Sequence, residues 1–215
     1  GDPYQEKKRE ILELHSIEME KAFIWGKYYS TTDTANMPLR YTGGIKSLIT
    51  TNVDDFSTNT TYSGQTWLQG GETWLDTILE QIFRYGRNSK LALVGSGAML
   101  GIQRLAKSSG QIILQGVTKS YGIEVTEWRT VFGTLYLKTH PLFSYQATNR
   151  NSALVLEPEK LKYRYVTGRD TQFLKNRQGN GVDAQIDEYL TEAGLELHHE
   201  KCFGWLNGLG SDNVV

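Results

Sequence analysis

One segment, Tyr121–Phe143, constrains the fold of this chain more than any other. It reads Tyr-Gly-Ile-Glu-Val-Thr-Glu-Trp-Arg-Thr-Val-Phe-Gly-Thr-Leu-Tyr-Leu-Lys-Thr-His-Pro-Leu-Phe. Ile123/Val125 and Leu135/Leu137 alternate with polar neighbours on either side of Phe132-Gly133, and period-two alternation around a glycine turn specifies a β-hairpin with those four side chains inward. A long helical pattern and glycine-bounded helices precede it, and a charged alternating stretch follows. The chain therefore reads as α+β, and the segment itself holds no catalytic constellation.

At 215 residues the chain can bury a full core, as one domain or two small ones. A formal net charge of -1 provides no global field to recruit nucleic acid or an anionic membrane. Cys202 is the single cysteine, which excludes an internal disulfide and fits a reducing cytosol. No apolar run approaches the ~18–20 residues that span a bilayer, and no signal-peptide pattern is present. Asn59-Thr60-Thr61 matches a glycosylation sequon and, without a secretory signal, reads as chance.

Pro3 suits a first helical turn, and the helical pattern runs over Asp2–Tyr29, about 40 Å at 1.5 Å per residue. Arg9, Glu13, Ser16, Glu20 and Lys27 fall in one polar wedge. Apolar residues, Ile17, Ile24 and Tyr28 among them, cover most of the remaining circumference. Such a helix is expected to be covered on more than one side, either as a central core helix or by also meeting a neighbouring subunit. Ser30–Asn36 is a polar break. Leu39–Thr51 reads as strand with a bend at Gly43-Gly44, and Asp54–Gln65 as an exposed loop. Trp74, Leu75, Ile78, Leu79, Ile82 and Phe83 mark a second helix with Gly86 at its C-terminal cap. Leu91–Val94 is a short buried strand, Ser96 an N-cap for a third helix to about Lys107, and Ile112–Leu114 another short strand. Asn207–Val215 reads as a mobile tail.

Two constellations invite a chemical reading. Gly95-Ser-Gly97-Ala-Met-Leu-Gly101 follows a strand and opens a helix, as a dinucleotide fingerprint does. Its third glycine falls one residue late, and no acidic residue ends a second parallel strand. The bland reading is a tight strand-to-helix turn; the alternative function is a small α/β enzyme binding a nucleotide at residues 94–101. His198-His199-Glu200 with Cys202 resembles a metal cluster, but strand neighbours diverge, so only His198, Glu200 and Cys202 would converge, one ligand short of a structural zinc site. No cofactor, metal or catalytic residue is assigned.

Glu159–Arg177 carries six basic residues against two acidic, whereas Asp183–Glu200 carries six acidic residues and no Lys or Arg. Alternation at Leu161/Tyr163/Tyr165 and Leu195/Leu197/His199 marks both as strands joined through Gln178–Gly181, so opposite charges can pair across the two arms of one hairpin.

The order of elements, and five strings, resemble the major capsid proteins of tailed phages with the Hong Kong 97-like fold. The strings are Tyr41-Thr-Gly-Gly-Ile, Tyr121-Gly-Ile-Glu-Val, Phe132-Gly-Thr-Leu, His140-Pro-Leu-Phe and Tyr189-Leu-Thr-Glu-Ala-Gly-Leu-Glu. The resemblance implies a spine helix in residues 1–38, an axial domain in 39–158, peripheral-domain strands in 159–207 and a mobile tail in 208–215. It implies a structural subunit, not an enzyme, that self-assembles into an icosahedral shell around double-stranded DNA. Its partners would be identical subunits in capsomers, together with other capsid or decoration proteins. Packaged DNA would be met only by non-specific proximity, and no membrane is involved. Its place would be the virion, after assembly in the host cytoplasm. Under this reading Ile17, Ile24, Tyr28, Arg164, Arg169, Lys175, Arg177, Asp183, Asp187, Glu188 and Glu192 are candidate subunit-interface residues, basic edge meeting acidic edge head to tail. Family members carry an N-terminal arm and extended loop before the spine helix. Here the helix begins within three residues of Gly1, so the sequence is expected to be the folded body, and no cross-link chemistry is carried over.

Overall fold

The computed structural model describes residues 2–110, 114–120 and 122–213. In chain order its elements are α1 (Pro3–Trp25), β1 (Tyr29–Thr32), β2 (Pro38–Tyr41), α2 (Ile45–Leu48), β3 (Val53–Asp55), α3 (Trp67–Phe83), β4 (Ser89–Val94) and α4 (Ser96–Ser109). There follow β5 (Leu114–Ser120), β6 (Ile123–Arg129), β7 (Thr134–Thr139), α5 (Pro141–Tyr145), β8 (Ala153–Leu156), β9 (Leu161–Tyr165), β10 (Gln172–Leu174), β11 (Glu188–Leu190), β12 (Ala193–Leu197) and β13 (Gly204–Asn207). They form two compact units, one of Gly1–Leu48 with Leu161–Leu197, the other of Ile49–Lys160 with His198–Val215. Residues 39–48 thus go with the helix and 198–213 with the sheet, unlike the bounds expected from sequence.

The second unit is built on a seven-stranded mixed sheet in the order β3-β13-β8-β4-β7-β6-β5, with β13/β3 and β4/β7 parallel. β8 is apolar at four successive positions, Ala153–Leu156, and all four are buried, as a strand covered on both faces requires. On one face Trp74, Leu75, Ile78, Leu79, Ile82 and Phe83 of α3 and Ala98, Ile102 and Leu105 of α4 share a core with Ala92, Val94, Leu135, Leu137 and Val155. Trp205 precedes the core residue Leu206 and so points to the opposite face, where its ring lies 5.5 Å from Phe143.

The hairpin forms as β6 and β7, with Val125, Leu135 and Leu137 buried. Ile123 is exposed instead, at the end of β6, where its partner is Ser120 of β5 and β7 no longer pairs with the strand. Of the strand expected over Ile112–Leu114, only Leu114 falls among the described residues; Tyr121 lies outside them too.

The segment Asp54–Gln65 is not an exposed loop. Phe56 is fully buried between Trp67 and Trp74, with ring centroids 5.1 and 5.7 Å away. Trp74 Nε1 donates to Asp54 at 2.9 Å, giving the buried indole its polar partner. The tail is pinned over 208–213. Leu209 is in the core, its N–H donates to Asn151 O at 2.9 Å, and Asn213 N donates to Gln65 O at 3.0 Å.

In the first unit Asp2 caps α1, accepting from Tyr4 N at 3.1 Å. The helix stops at Trp25, short of Tyr29, because Gly26 turns to φ -51, ψ 141 while its N–H still donates to Ala22 O. The polar break is really a hairpin turn. Asp33 Oδ1 accepts from Ala35 N and Met37 N at 2.9 and 2.8 Å, Asn36 sits at φ 61, and β1 pairs antiparallel with β2. Only residues 39–41 of the expected strand extend, as part of β2; Ile45–Leu48 is helical. The charged segment forms a ribbon in two tiers, β9 with β12 and β10 with β11.

Candidate assembly surfaces

Within its own unit α1 lies along the ribbon by one stripe. Tyr4 OH donates to Asp187 at 2.5 Å, Lys8 Nζ sits 3.9 Å over Phe173, His15 Nε2 is 2.8 Å from Thr191 Oγ1, and Phe23 meets Tyr163 edge-on at 5.8 Å. At 100° per residue these fall on one side, and Leu14 and Ile17 fall away from it. Those two are exposed, and so is Tyr28 at 72%. Ile24, expected at a subunit contact, is buried within the chain beside the Gly26–Gly44 closure.

The charge split resolves into pairs inside the ribbon. Arg164 pairs with Glu196 across β9/β12, Arg169 with Glu192 at 3.0 Å and Arg177 with Glu188 at 2.8 Å. Asp187 is held below the usual carboxylate range by Tyr4 OH, helped by the Asn176 amide, Gln185 and the charge of Lys175. The Tyr163 hydroxyl, donating to Asp170 at 2.7 Å, is pushed up to about 12. Lys175 and Asp183 are exposed. The structure therefore gives Arg164, Arg169 and Arg177 partners within their own chain, the cross-strand alternative of the sequence reading.

Sequence reasoning missed one surface. Tyr29↔Tyr41 and Thr31↔Leu39 are register pairs on one face of the β1–β2 hairpin, and Met37 shares that face by period two. Tyr29, Met37, Leu39 and Tyr41 are all exposed there. The signal was present as Asp33 and Asn36 between two short alternating runs.

The glycine turn holds the chain's own backbone. A Cβ on Gly101 would lie 2.6 Å from Gly210 Cα, and one on Gly97 would overlap the Asn151 side chain. The first amides of α4 are taken: Ser96 N donates to Ser144 Oγ at 3.2 Å and Ala98 N to Arg150 O at 3.1 Å. Gly95, not Ser96, is the capping residue. His199 leaves the strand at φ 56 and Glu200–Cys202 forms a 3-10 turn, so the strand argument for a convergent His198, Glu200 and Cys202 does not apply. Among the described residues no three His, Cys, Asp or Glu side chains are placed to hold a metal ion. No described helix is long and apolar enough to cross a membrane.

What stands out is thus a set of exposed apolar and charged faces. Comparison with known proteins agrees with that balance: residues 1–210 match the family model described as SU10 major capsid protein. The chain belongs to the SU10 major capsid protein family. A curated relative of this SU10-family chain is the major capsid protein of Pseudomonas phage PaMx41, 24% identical over 219 residues. That alignment covers 95% of this chain and 52% of the relative, so the chain spans about half the relative's length. Among solved structures, the SrpI encapsulin of Synechococcus elongatus PCC 7942, imaged as a holo-complex, superposes with a TM-score of 0.60. It is 13% identical, with 99% of this chain and 67% of that one covered. The SU10-family chain and this encapsulin share a fold.

Proposed function

We propose that this chain is the structural subunit of a phage shell, many identical copies of which enclose the genome in the virion. The observation that carries the reading is the family match over residues 1–210. The fold likeness to an encapsulin supports placing the chain in the Hong Kong 97-like class. In that reading the unit of α1, the β1–β2 hairpin and the ribbon is the peripheral domain, and the seven-stranded unit is the axial domain. Ile17, Tyr28, Arg164, Arg169, Lys175, Arg177, Asp183, Asp187, Glu188 and Glu192 face neighbouring copies; Ile24, already buried, does not. The exposed charged groups of the ribbon set register between copies, while the apolar faces of α1 and β1–β2 supply area. The contact is heterologous and closes into rings.

The experiment is electron microscopy of a protein of the PaMx41 relative's length that contains this chain. Closed shells of uniform size are expected. A folded protein that stays monomeric at every concentration and salt condition tried refutes the reading.

A further inference from the structure

The tip of the charged ribbon carries Asn180-Gly181, one of two Asn-Gly pairs in the chain; the other is Asn207-Gly208. The first lies in an open turn. Val182 N donates to Gly179 O at 3.3 Å, and Gly181 takes φ +81, as the third residue of a type II turn does. Asn180 and Gly181 are exposed, and a Cβ on Gly181 would meet nothing within 4 Å. Among the described residues neither the Asn180 side-chain amide nor the Gly181 N–H makes a hydrogen bond. The second pair is held. Asn207 Oδ1 accepts from Ser152 Oγ at 2.7 Å and from Trp205 Nε1 at 3.0 Å, and a Cβ on Gly208 would stand 2.5 Å from Asp55 Oδ1. The same dipeptide therefore occurs once free and once clamped.

We propose that Asn180 is a site of self-modification, cyclising with Gly181 to a succinimide that water opens to aspartate or isoaspartate. Solvent base takes the proton of the Gly181 N–H, and that nitrogen attacks Asn180 Cγ. The N–Cγ bond forms, the Cγ–Nδ2 bond breaks, and the amide nitrogen leaves as ammonia with a proton from water. Water then adds at either ring carbonyl and breaks its bond to the ring nitrogen. Nothing is oxidised or reduced: ammonia goes out and water comes in. Glycine favours the attack because it has no Cβ to crowd the approach. The asparagine side chain must also rotate over the following nitrogen, which breaks no hydrogen bond at Asn180 and two at Asn207. Each event replaces a neutral amide with a carboxylate on a segment that also carries Lys175, Arg177 and Asp183. Isoaspartate further adds a methylene to the main chain inside the turn. The site needs only the free turn, so it stands apart from the shell reading.

The test is incubation of the folded, unassembled chain in neutral and mildly alkaline buffer. Amide-to-acid conversion is followed at both Asn-Gly sites by peptide mass spectrometry, with aspartate and isoaspartate separated by chromatography. Asn180 is expected to convert about tenfold or more faster than Asn207, the size of the hydrogen bonds that Asn207 must break. In denaturant the two sites should convert at similar rates. Gly181→Ala should slow Asn180 while leaving Asn207 and the melting curve unchanged. The proposal is overturned if Asn180 stays intact while Asn207 converts, or if the two keep pace in the folded chain. A gap that persists in denaturant overturns the structural cause, and a Gly181→Ala rate equal to wild type overturns the cyclic route.

Discussion

Lys90 shows what a single buried charge does in this fold. It sits on β4, on the same face as the core residues Ala92 and Val94, where the pattern alone calls for an apolar side chain. Burial pushes its ammonium below the usual range, and Glu157 offsets part of that. Burial pushes the Glu157 carboxyl up, but the Arg87 amide and Lys90 outweigh it, so the carboxyl ends below its ordinary value. Since the folded value lies below the unfolded one, the stabilisation is present above about pH 4.5 and is lost as pH falls through the lowered value. Lys90→Met at neutral pH leaves a buried carboxylate with only Lys160 and the Arg87 amide. The expected loss is about 3 kcal/mol in chemical denaturation, the lower end for a broken buried pair because those two partners remain. A loss below about 1 kcal/mol would show that the pair is not desolvated as described.

Among elements, the ones written in strong periodicity were legible in the sequence and the ones made by local exceptions were not. α3 was visible because Trp74, Leu75, Ile78, Leu79, Ile82 and Phe83 repeat at helical spacing and all are buried. Val125, Leu135 and Leu137 were legible for the same reason at period two. The end of α1 was not, since Tyr28 and Tyr29 continue the apolar pattern and only the backbone turn at Gly26 breaks it. Phe56 was hidden in a run of polar residues whose side chains cap their own short turns, Asp55 onto Ser57 N and Asn59 onto Thr61 N. The charge split of residues 159–200 was visible as composition, but its partner was not, because pairing within a ribbon and pairing between copies leave the same sequence signature. The cross-strand pair can be isolated. Arg164→Glu should lower the stability of the chain measurably, and adding Glu196→Arg should recover it. A thermodynamic cycle in which the double swap recovers nothing would place the partner of Arg164 elsewhere.

For the whole molecule the question is which surfaces hold copies together, and magnitudes decide it. The ribbon charges are already paired in the free chain, so a new contact must compete with an existing one, and an exposed pair contributes about 0–1 kcal/mol. Covering an exposed Leu or Ile contributes about 1.5–3 kcal/mol, and no in-chain contact is given up. Association costs at least about 4 kcal/mol before any contact counts, which charges alone hardly offset. In the proposed shell we therefore expect Leu14 and Ile17 of α1, and the Tyr29–Tyr41 face of an otherwise marginal two-stranded hairpin, to drive assembly, with the charges setting register. Leu14→Gln with Ile17→Gln in the longer protein should raise the concentration needed for shell formation about tenfold or more, one lost apolar side chain per contact being enough. The melting curve of the unassembled subunit should hardly change, because both positions are exposed there. Arg169→Glu should instead shift the salt dependence of assembly while leaving shells able to form. Light scattering across a concentration series reads both. Shells that tolerate the glutamines and vanish with the charge reversal would mean that electrostatic contacts, not apolar area, hold the particle together.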